Sequence, residues 1–416
     1  MDLTRSPRAT DLLERVTAFM QTEIEPVEAA YHTDLARARR EGNPWQPLPV
    51  LDELKAKARA QGLWNLFLPA EHAGDYAARF GTDGGTGLTN VDYAPLAEQM
   101  GRSEIAPLVF NCNAPDTGNM EVLLRYGSAA QRERWLEPLL EGRIRSAFLM
   151  TEPGTASSDA TTMELTAVVD GDEIVLNGRK WFSTGAGHAD CAVYVVMGLT
   201  DPGADRHARH SMVLVPADTP GVRVERMLNA FGYLDEPLGH AEISLTDVRV
   251  PVDHFISGPG EAFAIAQGRL GPGRVHHCMR LIGAAEKALE LGIRRGLERV
   301  AFGKPLVRLG ANAEKIAKAR IAIDSMRLLV LDAAWKLDHG GPAAAASEVA
   351  QIKAAVPAMA GDVVDLAIQL HGGGGVTDDF PLAMAWVNAR TLRLADGPDE
   401  VHLATVARLE IAKHRR

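Results

Sequence analysis

The hydrophobic period of this chain changes twice, and that limits the folds open to it. Up to about residue 147, apolar residues recur at helical spacing: Leu12, Leu13, Val16, Phe19 and Met20 in one stretch, Leu51, Leu54 and Ala58 in another, then Met120, Leu123 and Leu124. From 148 to about 257 the period is that of strands. Ala167-Val-Val, Cys191-Ala-Val-Tyr-Val-Val-Met, Ser211-Met-Val-Leu-Val, Gly221-Val-Arg-Val and His240-Ala-Glu-Ile-Ser-Leu are short runs of this kind. Asp170-Gly and Asn177-Gly supply turn signals. From about 258 helices return. Val275, Met279, Ile282, Leu289, Ile293 and Leu297 mark one long amphipathic helix, and Ile316, Ile323, Met326, Leu329 and Val330 mark another; two more cover about 344–370 and 381–394. The order predicts an α+β protein in three parts: an N-terminal α-helical domain over 1–147, a middle β-barrel or sandwich over 148–257, and a C-terminal four-helix bundle over 258–416.

Bulk properties narrow the function. At 416 residues the chain suits two or three domains. Its formal net charge of −10 opposes general nucleic-acid binding, and the basic run Lys413-His-Arg-Arg reads as a short solvated tail. The three cysteines, Cys112, Cys191 and Cys278, are far apart and odd in number, so no disulfide framework is implied. The first residues lack a secretory pattern, and no apolar run reaches membrane-spanning length. These features predict a soluble cytoplasmic protein with no membrane span. Three tempting motifs fail on spacing. Gly81-Thr-Asp-Gly-Gly-Thr-Gly follows no strand, Gly303-Lys304 lacks the rest of a Walker loop, and His276-His277-Cys278 offers no spaced metal ligands, so no metal site is expected.

Five segments carry chemistry. Leu149-Met-Thr-Glu-Pro-Gly-Thr-Ala-Ser-Ser-Asp is a turn crowded with small residues, hydroxyls and backbone N–H groups. By itself it suits a cap or a loop. Further on, Arg179-Lys-Trp-Phe-Ser-Thr reads as a strand ending in aromatics and hydroxyls. Together the two suit a flat, polar, redox-active ring. Arg299-Val-Ala-Phe-Gly-Lys joins a guanidinium, able to make a charge-assisted fork on a phosphate, to an aromatic. Gln369-Leu-His-Gly-Gly-Gly-Gly-Val has more glycines than a helix stop requires, and such a run allows close backbone approach to a bulky anion. Arg393-Leu-Ala-Asp-Gly-Pro-Asp-Glu-Val-His contains a turn before a helix.

In this order the segments resemble the acyl-CoA dehydrogenase family. The likeness covers about residues 90–410 and is strongest to the dehydrogenase domain of family members ten and eleven. The stretches Asn111-x-x-Ala-Pro-Asp-Thr-Gly-Asn-Met and Thr151-Glu-Pro-x-x-Ala-Ser-Ser-Asp-Ala-Thr carry that closer resemblance. It implies FAD as cofactor. Met150, Thr151, Ser157 or Ser158, Phe182 and Thr184 would meet the flavin, with Phe182 standing where the family commonly has Trp. Arg299, Phe302, Gln369, Gly372 and Gly373 would reach the FAD of a neighbouring subunit, which implies a homodimer or homotetramer. Pro398 and Glu400 complete the cofactor set.

The implied reaction is α,β-dehydrogenation of an acyl-CoA thioester to the 2-enoyl-CoA, with electron-transfer flavoprotein as electron acceptor. Asp396 aligns with the family's catalytic Glu and would remove the α-proton, from a pocket that raises its pKa; Asp is shorter than Glu by one methylene. Arg274 and Gly397 would hold the thioester end. The Asp base also admits a nitroalkane-oxidase-like flavoenzyme, and the subgroup resemblance admits phosphate elimination from a 4-phosphoryl-acyl-CoA. A DNA-binding flavoprotein ranks last, because of the acidic charge.

Overall fold

The computed structural model describes residues 2–69, 71–81 and 87–415, without the side chains of Leu270 and Pro272. Residues 82–86 of the glycine-rich loop, and Arg416 of the basic tail, lie outside the described residues. The chain forms two compact units. One, the sheet unit, comprises Glu23–Gly87 and Leu108–Gly273; the other, the helical unit, comprises residues up to Thr22, Leu88–Pro107 and Arg274–Arg416.

Seven strands of the sheet unit form one curled, mixed sheet: β1 (Arg145–Leu149), β2 (Thr166–Asp170), β3 (Glu173–Thr184), β4 (Cys191–Leu199), β5 (His210–Pro216), β6 (Val222–Met227) and β7 (His240–Pro251). The order is β1-β4-β2-β3-β7-β6, with β5 on β4. β1 and β2 run parallel to β4, and the remaining pairs are antiparallel. Period-2 alternation supplies the core. Ile174 and Leu176 of β3, Tyr194 and Val196 of β4, Val213 and Val215 of β5, and Ala241, Ile243 and Leu245 of β7 pack into one buried cluster.

Two bulges interrupt the β3–β7 ladder. At the first, Leu176 faces Val248 and Gly178 faces Leu245, so Thr246 and Asp247 lie opposite Asn177 alone. The Asp247 N–H donates to Asn177 Oδ1 at 2.8 Å. The extra residue flips the parity of β7, so that Val248 and Val250 point into the same core as Leu245. This corrects the sequence reading of Asn177-Gly as a turn. The strand runs on through it, and only Asp170-Gly closes a hairpin, with Gly171 at φ 66°. A Cβ on Gly178 would lie 2.8 Å from the Leu165 Cα, so the glycine marks close backbone approach. The second bulge places Trp181 and Phe182 opposite one residue of β7, between the pairs Lys180–Ile243 and Ser183–Ala241.

Long helices build the helical unit: Pro7–Phe19, Asn90–Met100, the Arg274 end of Ala262–Glu298, Asn312–Ala344 (broken at Gly341, φ 69°), Ala346–His371, Leu382–Leu392 and Asp399–Ala412. Starts are capped by sequence. Ser6 accepts from the Ala9 N–H, and Thr89 from that of Asp92. The Asp338 carboxylate receives the N–H groups of Asn90 and Val91 and the Asn90 amide, which sets a negative charge at a helix N-terminus. A knot of charges ties three helices: Arg327 bonds Glu98, Glu286 and Asp324, while Arg320 bonds Glu286 and Asp324. Burial works against ionisation of Glu286, yet these two guanidinium groups hold its carboxyl below the usual range.

Helices Asn90–Met100 and Ala262–Glu298 meet backbone to backbone. A Cβ on Gly283 would fall 1.8 Å from the Glu98 carbonyl oxygen, and one on Gly101 would fall 2.0 Å from that of Arg280. Gly283→Ala should therefore force the helices apart and cost about 1–3 kcal/mol or more. Gly361, also helical, has nothing within 4 Å of its Cβ position, so Gly361→Ala should be neutral or gain about 0.5–1 kcal/mol. Calorimetric unfolding checks the pair: the melting temperature should fall in Gly283→Ala and hold or rise in Gly361→Ala.

Candidate active site

In the sheet unit, the hydroxyl-rich turn leaves β1 and is fastened to β3 by one buried lysine. Lys180, fully buried, donates to the Met150 carbonyl and to Glu152 Oε1, both at 2.8 Å. Glu152 is held from the other side by the N–H groups of Glu164 (2.7 Å) and Leu165 (2.9 Å). Burial lowers the Lys180 pKa to about 8, against the pull of Glu152. The Trp181 N–H donates to the Thr151 carbonyl at 3.0 Å. Met150 and Thr151 are thus fixed to β3 by their carbonyls. Ser157 turns its hydroxyl inward to accept from the Glu152 N–H at 2.9 Å, whereas Ser158 is exposed. Sequence reasoning named Met150, Thr151 and the serines but missed Glu152 and Lys180. The pair lies 28 residues apart, and nothing local joins them.

The second bulge sets the aromatic. Phe182 has φ 49° and is 51% exposed, with its ring edge-on to Trp181 at 5.1 Å. The Trp181 Nε1 and Ser183 Oγ are buried without a hydrogen-bond partner among the described residues. Thr184, which ends β3, has its hydroxyl 2.9 Å from His240 Nδ1. Asp235 Oδ2 lies 3.5 Å from the other ring nitrogen. That placement suits an Nε2–H ring whose Nδ1 accepts the threonine proton. His240 was not foreseen either. It faces Thr184 only through the β3–β7 register.

The Asn111–Met120 motif forms a buried polar network behind β1. Arg145 Nη1 donates to Asn111, Asn113 and Asp116; the Ser146 N–H and hydroxyl both reach Asp116 Oδ1. Asn119 donates to Ser146 and accepts from Arg269 Nε, whose guanidinium stacks 3.9 Å above the Phe148 ring. Glu121, on the next turn, is buried, and burial raises its carboxyl to about 7, with Arg125 and Arg269 pulling it back.

In the helical unit the Asp396 turn is held from several sides. Asp396 has φ 57°, which is uncommon for a residue with a Cβ. Its carbonyl accepts from Arg274 Nε at 3.0 Å and lies 3.2 Å from His402 Nε2. Lys353, fully buried, donates to the carbonyls of Leu392 and Gly397. Gly397 follows at φ 102°, and a Cβ there would sit 2.9 Å from His402 Nε2, so this turn admits only glycine. Pro398 leads into helix Asp399–Ala412, with Glu400 exposed in its first turn. Asp399 bonds Arg393 Nε at 2.7 Å, which closes the loop on itself. Arg274 lies well inside helix Ala262–Glu298, because the helix runs through Gly268, Gly271 and Gly273.

The remaining site residues gather near two helix ends. Helix Ala262–Glu298 gives way at Arg299 to a small hairpin pairing Val300–Ala301 with Lys304–Pro305. Phe302, at its tip with φ 52°, is 95% exposed. Arg299 is exposed and makes no side-chain bond among the described residues. Helix Ala346–His371 ends where the Gly372 N–H returns to the Gln369 and Ile368 carbonyls; Gln369, Gly372 and Gly373 are exposed. Among the described residues no cluster of three or more His, Cys, Asp or Glu could hold a metal, and no helix is long and apolar enough to cross a membrane.

Comparison with known proteins agrees along nearly the whole length. Signatures described as the acyl-CoA dehydrogenase N-terminal, middle and C-terminal domains match residues 6–143, 147–248 and 260–410. The chain belongs to the acyl-CoA dehydrogenase family, whose members are FAD-dependent. It is 50% identical over 411 residues to acyl-CoA dehydrogenase family member 10 of Mus musculus, covering 99% of this chain and 38% of that protein. With family member 11 of Gallus gallus it shares 50% identity over 409 residues, 98% of this chain and 51% of that one. The chain thus spans about half of the length of one of these relatives and less of the other. "Probable acyl-CoA dehydrogenase FadE2" of Mycobacterium tuberculosis is 49% identical, covering 100% of this chain and 98% of its own. A solved Mycobacterium abscessus structure assigned to the acyl-CoA dehydrogenases is 63% identical, with a TM-score of 0.93, covering 99% and 100% of the two chains.

Glu121 yields a pH prediction. Its folded pKa lies above the ordinary 4.5, so the unfolded chain ionises first as pH rises from about 4.5 to 7. Stability is lost across that window, by up to about 3 kcal/mol, and the loss is complete above it. Glu121→Gln should raise the melting temperature at pH 8 and leave it unchanged near the low end of the window. Thermal melts of both proteins at the two pH values test this.

Proposed function

We propose that this chain catalyses FAD-dependent α,β-dehydrogenation of an acyl-CoA thioester to the 2-enoyl-CoA, with Asp396 as the base. The observation that carries this reading is the Asp396 turn. A short carboxylate stands at φ 57° with its carbonyl bound to Arg274 and facing His402. A base needs such placement, because a misplacement of about 1 Å can cost roughly 100-fold in rate. Family membership supplies the reaction class.

In this reading the residues divide the work. Arg274 and Gly397 hold the thioester end, and the backbone N–H of Asp396 polarises the carbonyl as charge develops on its oxygen. Asp396 takes the α-proton. FAD, when bound, supplies the acceptor for the hydride that leaves the β-carbon. The chain fits that group. Phe182 is half-exposed, the turn fixed by Lys180 carries hydroxyls and backbone amides, and Trp181 Nε1 and Ser183 Oγ are buried polar atoms without a partner among the described residues. Met150, Thr151, Ser157, Ser158 and Thr184 would hold the ring edge, with Pro398 and Glu400 also assigned to the cofactor.

Arg299 and Phe302, together with Gln369, Gly372 and Gly373, would bind the FAD of a neighbouring copy. An aromatic left 95% exposed, three positions from an exposed arginine that makes no side-chain bond among the described residues, supports that role and hence a homodimer or homotetramer. Electron-transfer flavoprotein would then reoxidise the enzyme. The domain division at 147 and 257 belongs to the same reading, as does a cytoplasmic location.

Anaerobic titration of the purified yellow protein with acyl-CoAs of graded length, following bleaching of the flavin band, tests the reaction. Asp396→Asn should keep its FAD and lose bleaching by roughly 100-fold or more. Normal bleaching in that variant removes Asp396 as the base. Arg299→Ala should shed FAD on gel filtration while retaining the fold by circular dichroism.

A further inference from the structure

We infer that His277 is a positioning residue for Asp396, so that the base works as a carboxylate–imidazole pair. This rests on the reading of Asp396 as the base. His277 Nε2 lies 3.5 Å from Asp396 Oδ2. On its other side, Nδ1 lies 3.2 Å from Arg280 Nη2. A guanidinium can only donate, so Nδ1 must accept, and the ring is neutral with its proton on Nε2. Of the two ring nitrogens, it is this one that stands 3.5 Å from the carboxylate. Arg280 therefore fixes the tautomer, and the tautomer aims a donor at one oxygen of Asp396.

Helical spacing makes the arrangement possible. Arg274 and His277 are three residues apart on helix Ala262–Glu298 and so share a face. Arg274 binds the Asp396 carbonyl, and His277 addresses its side chain. One helix face thus sets both the peptide and the carboxylate. An Asp side chain has little length with which to correct its aim. No proton moves through the imidazole in this scheme.

Other charged groups bear on the pair. Arg274, His276, Cys278 and Arg280 share its helix; Lys353 comes from helix Ala346–His371, His402 from helix Asp399–Ala412, and Arg393 and Asp399 from the turn and the helix start. A pH profile alone would therefore mix several titrations, and the test needs a second readout.

His277→Leu removes the donor, whereas His277→Gln keeps an amide N–H able to reach the same oxygen. The holoenzyme variants should retain FAD and melt within a few degrees of wild type. In anaerobic stopped-flow reduction by acyl-CoA, His277→Leu should slow the bleaching step roughly 10- to 100-fold with little change in the substrate concentration at half-saturation. His277→Gln should recover most of the rate. Unchanged reduction in His277→Leu overturns the role, and so does a glutamine variant as slow as the leucine one, which would indicate packing alone. Nitrogen-15 imidazole spectra give a measure that does not depend on activity. The His277 signal should report the Nε2–H form and shift in Asp396→Asn. A silent ring refutes the pairing, even if Asp396→Asn is inactive. A responsive ring in an Asp396→Asn protein that still bleaches its flavin locates the failure in the base assignment, and the positioning role falls with it.

Discussion

A single ammonium group buried beneath the sheet holds the hydroxyl-rich turn in register with β3. Lys180 loses its hydration entirely, and among the described residues the Glu152 carboxylate, the Met150 carbonyl and, at 3.7 Å, the Met163 sulfur stand in for water. A buried charge of this kind is costly unless every partner is present, and breaking such a pair costs about 3–5 kcal/mol. The consequence is geometric. Glu152 also collects two backbone N–H groups from the far end of the turn, so the whole loop from Met150 to Leu165 closes on one lysine. The bulge at Trp181 and Phe182 begins at the next residue. Anchor and aromatic therefore move as one piece.

The Asp396 turn solves a similar problem with different parts. A left-handed backbone at a residue with a side chain is strained, and strain persists where the surroundings over-determine it. Here Arg274, His402 and Lys353 all address the main chain around it, and Gly397 leaves the space that His402 fills. A base with a short side chain relies on the accuracy of its backbone. The donors from the helices packed around the turn supply it.

Much of this was legible in the residues. The helix–strand–helix order, the hairpin at Asp170-Gly, and the turn and strand that carry Thr151 and Phe182 follow from period and turn chemistry. Asn177-Gly misled, because the same pair that favours a tight turn also tolerates a bulge, and the partner strand decides between them. Gly268, Gly271, Pro272 and Gly273 look like a helix boundary, yet the helix runs on through them, and Arg274 lies inside it. His277 was set aside as an improbable metal ligand; its partner lies 119 positions further along the chain, where periodicity gives no hint of it.

The amino-acid order alone determined which stretches become helix or strand and which segments carry hydroxyls, aromatics and a candidate base, because period, capping and turn preference act within a few residues. It also carried the family likeness. Tertiary structure alone decided which polar groups meet: Lys180 with Glu152, Thr184 with His240, His277 with Asp396. Such pairs form between distant positions only when strand register and helix packing bring them together, and burial then strengthens each contact by excluding water.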